Sequence, residues 1–305
     1  MVYPDKIKEG ATIGLVSTSS PITAEREEQC VKAIEELGFK VKKAPNITAS
    51  KGGYMAGEES LRGEILNSMF ADKDVDAIFC IRGGDGANRI IDYLDLDVIR
   101  DNRKPFVGYS DVSSLHLLFN QKCDMVTFHG PMVSSNIVDN FTPEVREAFF
   151  AAINADAEYI YKAPAGHELK VAREGKGEGV MTGGNLTVIC ASLGTPYDMD
   201  TDGKILFIEE VGEHVGNLDR HVYQLRNAGK FDNIKGIVLG QFTDCREDVP
   251  GYDMTRIILD AIGDKDIPVI YNIQSGHDNP MINIPLGAMT CIDTSKKELR
   301  FMTGR

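Results

Sequence analysis

Two short stretches in the first half of the chain combine residue types that could do chemistry. In KPFVGYSDV, from Lys104 to Val112, an apolar run breaks at Gly108, presents Tyr109 and Ser110, and then enters SDVSSLHLLF. A serine on such a strand-to-helix turn has its hydroxyl held clear of the sheet, and the first helical amides point at any oxyanion formed by its attack. That arrangement suits acyl transfer. Helix capping is the other role for Ser110, and from the motif alone it is the commoner one, because Val112 stands where a nucleophile elbow has a small residue. The second stretch is RGGDG, residues 82–86, whose glycines allow a ligand to approach the backbone closely. It is not a dinucleotide fingerprint, since Arg89 takes the place of the third glycine, and no lysine follows as in a phosphate-binding loop. A tight structural turn is its alternative reading.

A nucleophilic serine needs a base and the base needs an acceptor. Of six histidines, His277 is best placed, in the loop QSGHDNPMINIPLG after the strand-like IPVIYNI. His129 in TFHGPM comes next, while His116, His167, His214 and His221 lie on helices or in polar surroundings. Glu209 and Glu210 end the apolar run KILFI and could hold an imidazole from a rigid element. Glu209 with Glu213 is also formally a glycosidase pair, but that pairing explains neither GYSD nor RGGDG.

The elements that would position these groups follow from periodicity. ATIGLVST, FKVKKA, VDAIFCIRGG and KPFVG read as strands. They alternate with helices over 24–37, along Leu61, Ile65 and Met69, through ANRIIDYLD, and over DVSSLHLLFNQK. This alternation predicts a parallel sheet with helices on its faces, where ligands bind beyond the carboxyl ends of the strands. After the predicted helix TPEVREAFFAAIN, the polar, glycine-rich segment from Pro164 to Gly175 marks a domain boundary. The second half holds the strand-like KILFIEEV, NIKGIVLG and IPVIYNI and the helices HVYQLRNAG and MTRIILDAIG, and DTDGK and TSKKE supply turn chemistry for flanking strands.

With 305 residues the chain suits two domains of about 150 residues each or one large α/β domain. Acidic residues outnumber basic ones by 46 to 33, and a net charge of −13 opposes binding to nucleic acid or anionic membranes. No apolar run approaches the roughly 20 residues that span a bilayer, and the N-terminus lacks the apolar region of a signal peptide, so a cytoplasmic protein is expected. Six cysteines are spread singly, without zinc or redox spacing. Cys80 and Cys190 lie in apolar runs, as small buried hydrophobes do.

The blocks IRGGDGANRIIDYLD, NRKPFVGYSDVSSLH, FHGPM, GVMTGGNLTVICASLGTPYD, ILFIEEVGEHVGNLDR and SGHDNP occur in the order that they have in the LD-carboxypeptidase family, which this chain resembles over nearly its whole length. That family contains muramoyltetrapeptide carboxypeptidases and microcin-immunity peptidases. The resemblance implies an α/β fold with an N-terminal Rossmann-like parallel-sheet domain (1–165) carrying the serine. It also implies a C-terminal β-rich α/β domain (175–305) carrying a glutamate and a histidine. The implied triad is Ser110, Glu209 and His277; the family's glutamate-to-histidine spacing selects Glu209 over Glu210. The implied oxyanion hole is the amides of Asp111 and Gly84.

In this reading His277 removes the proton of Ser110, which attacks an amide between an L-centre and a terminal D-amino acid, and neither metal nor organic cofactor is required. The substrate resembles the murein tetrapeptide L-Ala-γ-D-Glu-meso-diaminopimelate-D-Ala. Arg82 and Arg220 are candidates for meeting its carboxylates, with structural ion pairs as their alternative role. The resemblance also implies a homodimer. The chain departs from the family in reading NRKPF and GYSDVS where NPKPF and GYSDIT are common. It also has no tryptophan, whereas microcin-immunity peptidases stack a nucleobase on aromatic residues; that favours the muropeptide enzymes. The remaining alternatives are a peptidase for aminoacyl-nucleotide amides, a nucleotide-binding oxidoreductase using RGGDG, and a two-lobed solute-binding protein.

Overall fold

In the computed structural model, which describes residues 1–305, the β-α alternation of the first half builds a six-stranded sheet. In chain order its elements are β1 (Thr12–Val16), α1 (Ala24–Glu36), β2 (Lys40–Lys43), α2 (Glu59–Ala71), β3 (Ala77–Cys80), α3 (Leu96–Asp101), β4 (Phe106–Gly108), α4 (Ser113–Cys123) and β5 (Thr127–His129). The short α5 (Val138–Asn140) and α6 (Pro143–Ile153) close this half. β2 and β3 flank β1 in parallel, β4 pairs with β3, and β5 with β4. β3, β4 and β5 are buried throughout, as expected of parallel strands covered on both faces. Thr23 caps α1 by accepting the Arg26 amide, and the helix buries Cys30 and Ile34 one turn apart. The stretch ANRIIDYLD departs from the single helix expected. Residues 87–93 form a 3₁₀ turn, and α3 starts afresh after Asp95, whose carboxylate caps it through the Val98 amide.

The second half forms an eight-stranded sheet. Its elements are β6 (Glu158–Ile160), β7 (Lys170–Arg173), β8 (Lys176–Asn185), α7 (Leu186–Ala191), β9 (Ile205–Val211), α8 (Val215–Asn227), β10 (Gly236–Thr243), α9 (Met254–Ile262) and β11 (Val269–Tyr271). The strands β12 (Ile284–Leu286), β13 (Met289–Asp293) and β14 (Glu298–Met302) follow. β8, β9, β10 and β11 are parallel neighbours. The first half of β8 pairs antiparallel with β13, which continues through β14 to β6. Gly183 lets β8 lie against β9: it has φ +122°, and a Cβ there would sit 1.9 Å from the Phe207 carbonyl oxygen.

Contacts divide the chain into Met1–Ala155 with Ile282–Pro285, and Asp156–Met281 with Leu286–Arg305. The division precedes the polar segment 164–175, because Lys170–Arg173 pairs with β11 as part of the second sheet. β12 returns to the first sheet beside β5. No helix is long and apolar enough to cross a membrane.

Candidate active site

Ser110 sits directly after β4 in the left-handed region, with φ +64°, a conformation that costs a non-glycine residue free energy and marks strained functional turns. It opens a 3₁₀ turn, Ser110–Val112, that runs into α4. The cap positions of turn and helix are Tyr109 and Val112, and neither makes a side-chain capping bond. The Ser110 hydroxyl is therefore not the helix cap. Val112 is accommodated from the strand side: a Cβ on Gly108 would lie 3.0 Å from its Cγ1, so the glycine makes the room that the valine takes.

The glycine loop 82–86 wraps this turn. A Cβ on Gly83 would lie 2.9 Å from the Ser110 Cβ and 3.1 Å from its Oγ. Gly84 has φ +112°, and a Cβ there would meet the Ser20 Oγ at 2.1 Å. Asp111 accepts the Ala87 amide at 2.7 Å, tying the serine turn to the end of the loop. Burial pushes the Asp111 carboxyl above its usual range, against the pull of Ser19 and of that amide. From beneath, the buried Arg62 guanidinium donates to the carbonyls of Thr18 and Gly86. Sequence reading passed over Arg62, since one arginine on a helix carries no signal of what it will face.

In the second unit, β9 carries Glu209 and Glu210 side by side, and both are buried. Their side chains leave the strand on opposite faces, and apart from Asn185, which reaches both, their partners differ. Glu209 Oε2 lies 2.8 Å from His277 Nδ1, with the glutamate side chain wholly buried and the histidine side chain 15% exposed. Burial raises the Glu209 carboxyl, opposed by its bonds to His277 and to Asn185. Two glycines let the backbone close on this pair. A Cβ on Gly240 would lie 3.0 Å from the Glu209 Cβ, and one on Gly276 would lie 3.2 Å from Glu209 Oε2. The β9–β10 register shifts between Leu239 and Phe242, a local irregularity of the kind found beside functional sites.

Glu210 holds structure. It accepts from Asn185 Nδ2 at 2.9 Å, the Val211 amide at 2.9 Å, and the Thr187 amide and hydroxyl at 2.8 and 2.6 Å. It thereby anchors the start of α7 to β9, a role that the neighbouring GGNLT hints at only in hindsight.

The chain matches the LD-carboxypeptidase N-terminal domain over residues 13–130 and the LD-carboxypeptidase C-terminal domain over residues 178–292. It is 34% identical over 303 residues to the Bacillus subtilis (strain 168) protein named "Probable murein peptide carboxypeptidase", covering 96% of this chain and 92% of that one. It belongs to the LD-carboxypeptidase family. The microcin C7 self-immunity protein MccF of Escherichia coli is 27% identical over 322 residues, covering 95% of this chain and 92% of that protein. The crystal structure of an MccF-like protein from Bacillus anthracis str. Ames superposes with a TM-score of 0.90 at 26% identity, over 99% of each chain.

Within this LD-carboxypeptidase family member the remaining residues fall as follows. Arg82 is exposed and makes one long hydrogen bond, 3.5 Å to the Pro21 carbonyl. Arg220 is exposed on α8 and bonds to Asn217 at 2.9 Å. Neither forms an ion pair within the chain, so the structural alternative weighed for both has no support here. Glu213 accepts from Asn217 Nδ2 at 2.6 Å. His129 is fully buried in β5, packed beside the rings of Tyr109 and His116. His116 is buried under the serine turn, with its Nε2 donating to the Gly108 carbonyl at 2.9 Å, and burial lowers its pKa to about 4.

Proposed function

We propose that this chain is a serine carboxypeptidase that releases the terminal D-amino acid from a murein tetrapeptide, acting in the cytoplasm on recycled muropeptides. The observation that carries the reading is the His277–Glu209 pair, a largely buried imidazole held through Nδ1 by a wholly buried carboxylate, which is what a general base for an alcohol nucleophile needs. Ser110, on its left-handed turn, supplies that nucleophile, and catalysis requires the two units to present these groups to one peptide bond. His277 Nε2 takes the hydroxyl proton as Ser110 Oγ attacks the carbonyl carbon of the L,D-amide. The amides of Asp111 and Gly84 receive the oxyanion. His277 then returns the proton to the departing D-Ala amine, and later activates water to break the acyl-enzyme.

Glu209 stabilises the imidazolium without being protonated itself. Arg82 and Arg220, cations without ion-pair partners, are proposed to meet substrate carboxylates; an unchanged KM in Arg220→Ala would remove that residue. The kinship with MccF supports a second substrate class, peptidyl or aminoacyl nucleotides, which the lack of tryptophan disfavours. The working enzyme is proposed to be a homodimer.

The test is D-Ala release from the murein tetrapeptide by wild-type protein and by Ser110→Ala, with mass spectrometry of the remaining tripeptide. Release by wild type, falling on the order of 10⁴-fold in the variant, is expected. Equal release by both would remove Ser110 as nucleophile. No release by either would move the search to aminoacyl nucleotides.

A further inference from the structure

β10 does not pair evenly with β9. Leu239 stands opposite Ile208 and Phe242 opposite Glu210, so Gly240 and Gln241 together face the single residue Glu209. A bulge of two residues against one re-aims the side chains beside it. Here it also turns the Gln241 amide away from β9, and that amide donates to the Ser275 carbonyl at 3.0 Å. The glycine lets the bulge close: a Cβ on Gly240 would lie 2.3 Å from the same carbonyl oxygen and 3.0 Å from the Glu209 Cβ.

His277 lies in a stretch, residues 272–283, that contains no helix or strand, so its backbone groups must find partners elsewhere. The Gln241 side chain supplies some of them on both sides of the histidine. Its Oε1 accepts the Asp278 amide at 3.1 Å, and its Nε2 donates to the Pro280 carbonyl and to Gln274 Oε1, both at 3.2 Å. The two backbone partners fix which way the carboxamide points, since an amide N–H only donates and a carbonyl only accepts. Gln274 is fixed in turn. Its Nε2 donates to the Asn272 carbonyl and Oδ1, each at 3.0 Å, and its own amide donates to the Tyr161 hydroxyl at 2.8 Å. One side chain on β10 thus ties residues before and after His277 to the strand beside Glu209.

We propose that Gln241 is the positioning residue of the general base, setting where His277 Nε2 stands by holding the backbone that carries the ring. The proposal rests on the reading of His277 as that base. The bond from Glu209 fixes the ring at Nδ1, but a ring held at one atom still moves with its own backbone, and the outer nitrogen moves furthest. A glutamine suits the task because it offers one acceptor and two donors without charge. A carboxylate of the same shape would keep the Asp278 amide and would set a negative oxygen against those of Pro280 and Gln274. An apolar side chain of similar length would lose all three bonds.

The experiment measures D-Ala release from the murein tetrapeptide for wild type, Gln241→Glu and Gln241→Met, with the ring-nitrogen NMR signals of His277 in each protein. In both variants kcat is expected to fall about 10²-fold, the scale of a displacement near 1 Å at a reacting group, with KM within about twofold of wild type. The His277 ring signals should shift or broaden while those of His116, in the other unit, stay in place. Gln241→Glu keeps the size and polarity of the side chain and carries the test if Gln241→Met does not fold. Unchanged kcat, or a lower kcat with His277 signals identical to wild type, would overturn the proposal. If wild type releases no D-Ala, or Ser110→Ala releases as much, the peptidase reading falls instead. The His277 signals then decide the role of Gln241 by themselves: altered signals in the variants sustain it, and unaltered ones overturn it.

Discussion

His277 Nδ1 lies 2.8 Å from Glu209 Oε2, and the carboxylate has no exposed surface. Such a bond assigns the Nδ1 proton to the glutamate side and leaves Nε2 as the basic nitrogen. The pair lies wholly within one unit, so its geometry is set by β9 and by the loop after β11.

Adjacent glutamates should separate by phenotype. Glu209→Gln keeps the shape but removes the charge that stabilises imidazolium, and kcat is expected to fall on the order of 10³–10⁴-fold with little loss of stability. Glu210→Gln cannot accept all of its four donors and turns an amide toward some of them, which should cost about 1–3 kcal/mol of stability. Thermal melts and kinetics of the two variants test this; a stable, inactive Glu210→Gln would reverse the assignment.

Gly83→Ala places a methyl group within 2.9 Å of the Ser110 Cβ. The serine turn must shift, and a displacement near 1 Å at a reacting group costs about 10²-fold in rate. The expected signature is a fallen kcat with a melting temperature within a few degrees of wild type. Full activity would show that the Ser110 position does not matter to the reaction.

His116 gives the first unit an acid sensitivity. Its pKa is about 4 in the folded chain because burial penalises the charged form, against about 6.5 when unfolded. The unfolded chain therefore binds the extra proton between these values. Stability from this group is complete above pH 6.5 and is lost as pH falls toward 4, by about 3 kcal/mol at most. His116→Gln can still donate to the Gly108 carbonyl. Its urea-unfolding free energy should vary less steeply across that window, by about one proton per chain; an unchanged slope would sink the assignment.

Arg62→Met leaves the Thr18 and Gly86 carbonyls without their donor, and a loss of about 2–4 kcal/mol is expected. Arg62→Lys reaches with one ammonium where the guanidinium spanned two carbonyls, so it should recover only part. If the Gly84 amide serves the oxyanion, kcat should suffer more than KM in Arg62→Lys; a change confined to KM would count against that role.

Much of the first sheet could be read directly, because parallel strands buried on both faces are continuous apolar runs ended by glycine, as VDAIFCIRGG and KPFVG are. In the antiparallel wing the turn chemistry of TSKKE marks the flanking strands β13 and β14, which pair as a hairpin, but β6 and the pairing with β8 were not legible. β6 is only 3 residues long and too short to show a period, and β7 hid inside a segment whose polarity reads as a linker. The return of β12 to the first sheet has no local signature either, since strand partners far apart in sequence are chosen by the packed sheet.

The amino-acid sequence by itself determined the residue types at each turn: the glycines of RGGDG, the serine after Gly108, the paired glutamates ending an apolar strand, and the histidine in the loop beyond β11. Local backbone sterics and hydrophobic periodicity are enough for that. Only the tertiary structure decided that Ser110 stands in the left-handed region without capping its helix, and that Glu209 faces His277 while Glu210 holds α7. Neighbouring residues on a strand point to opposite faces, and which face meets the histidine depends on where 68 intervening residues fold, a contact no local pattern encodes.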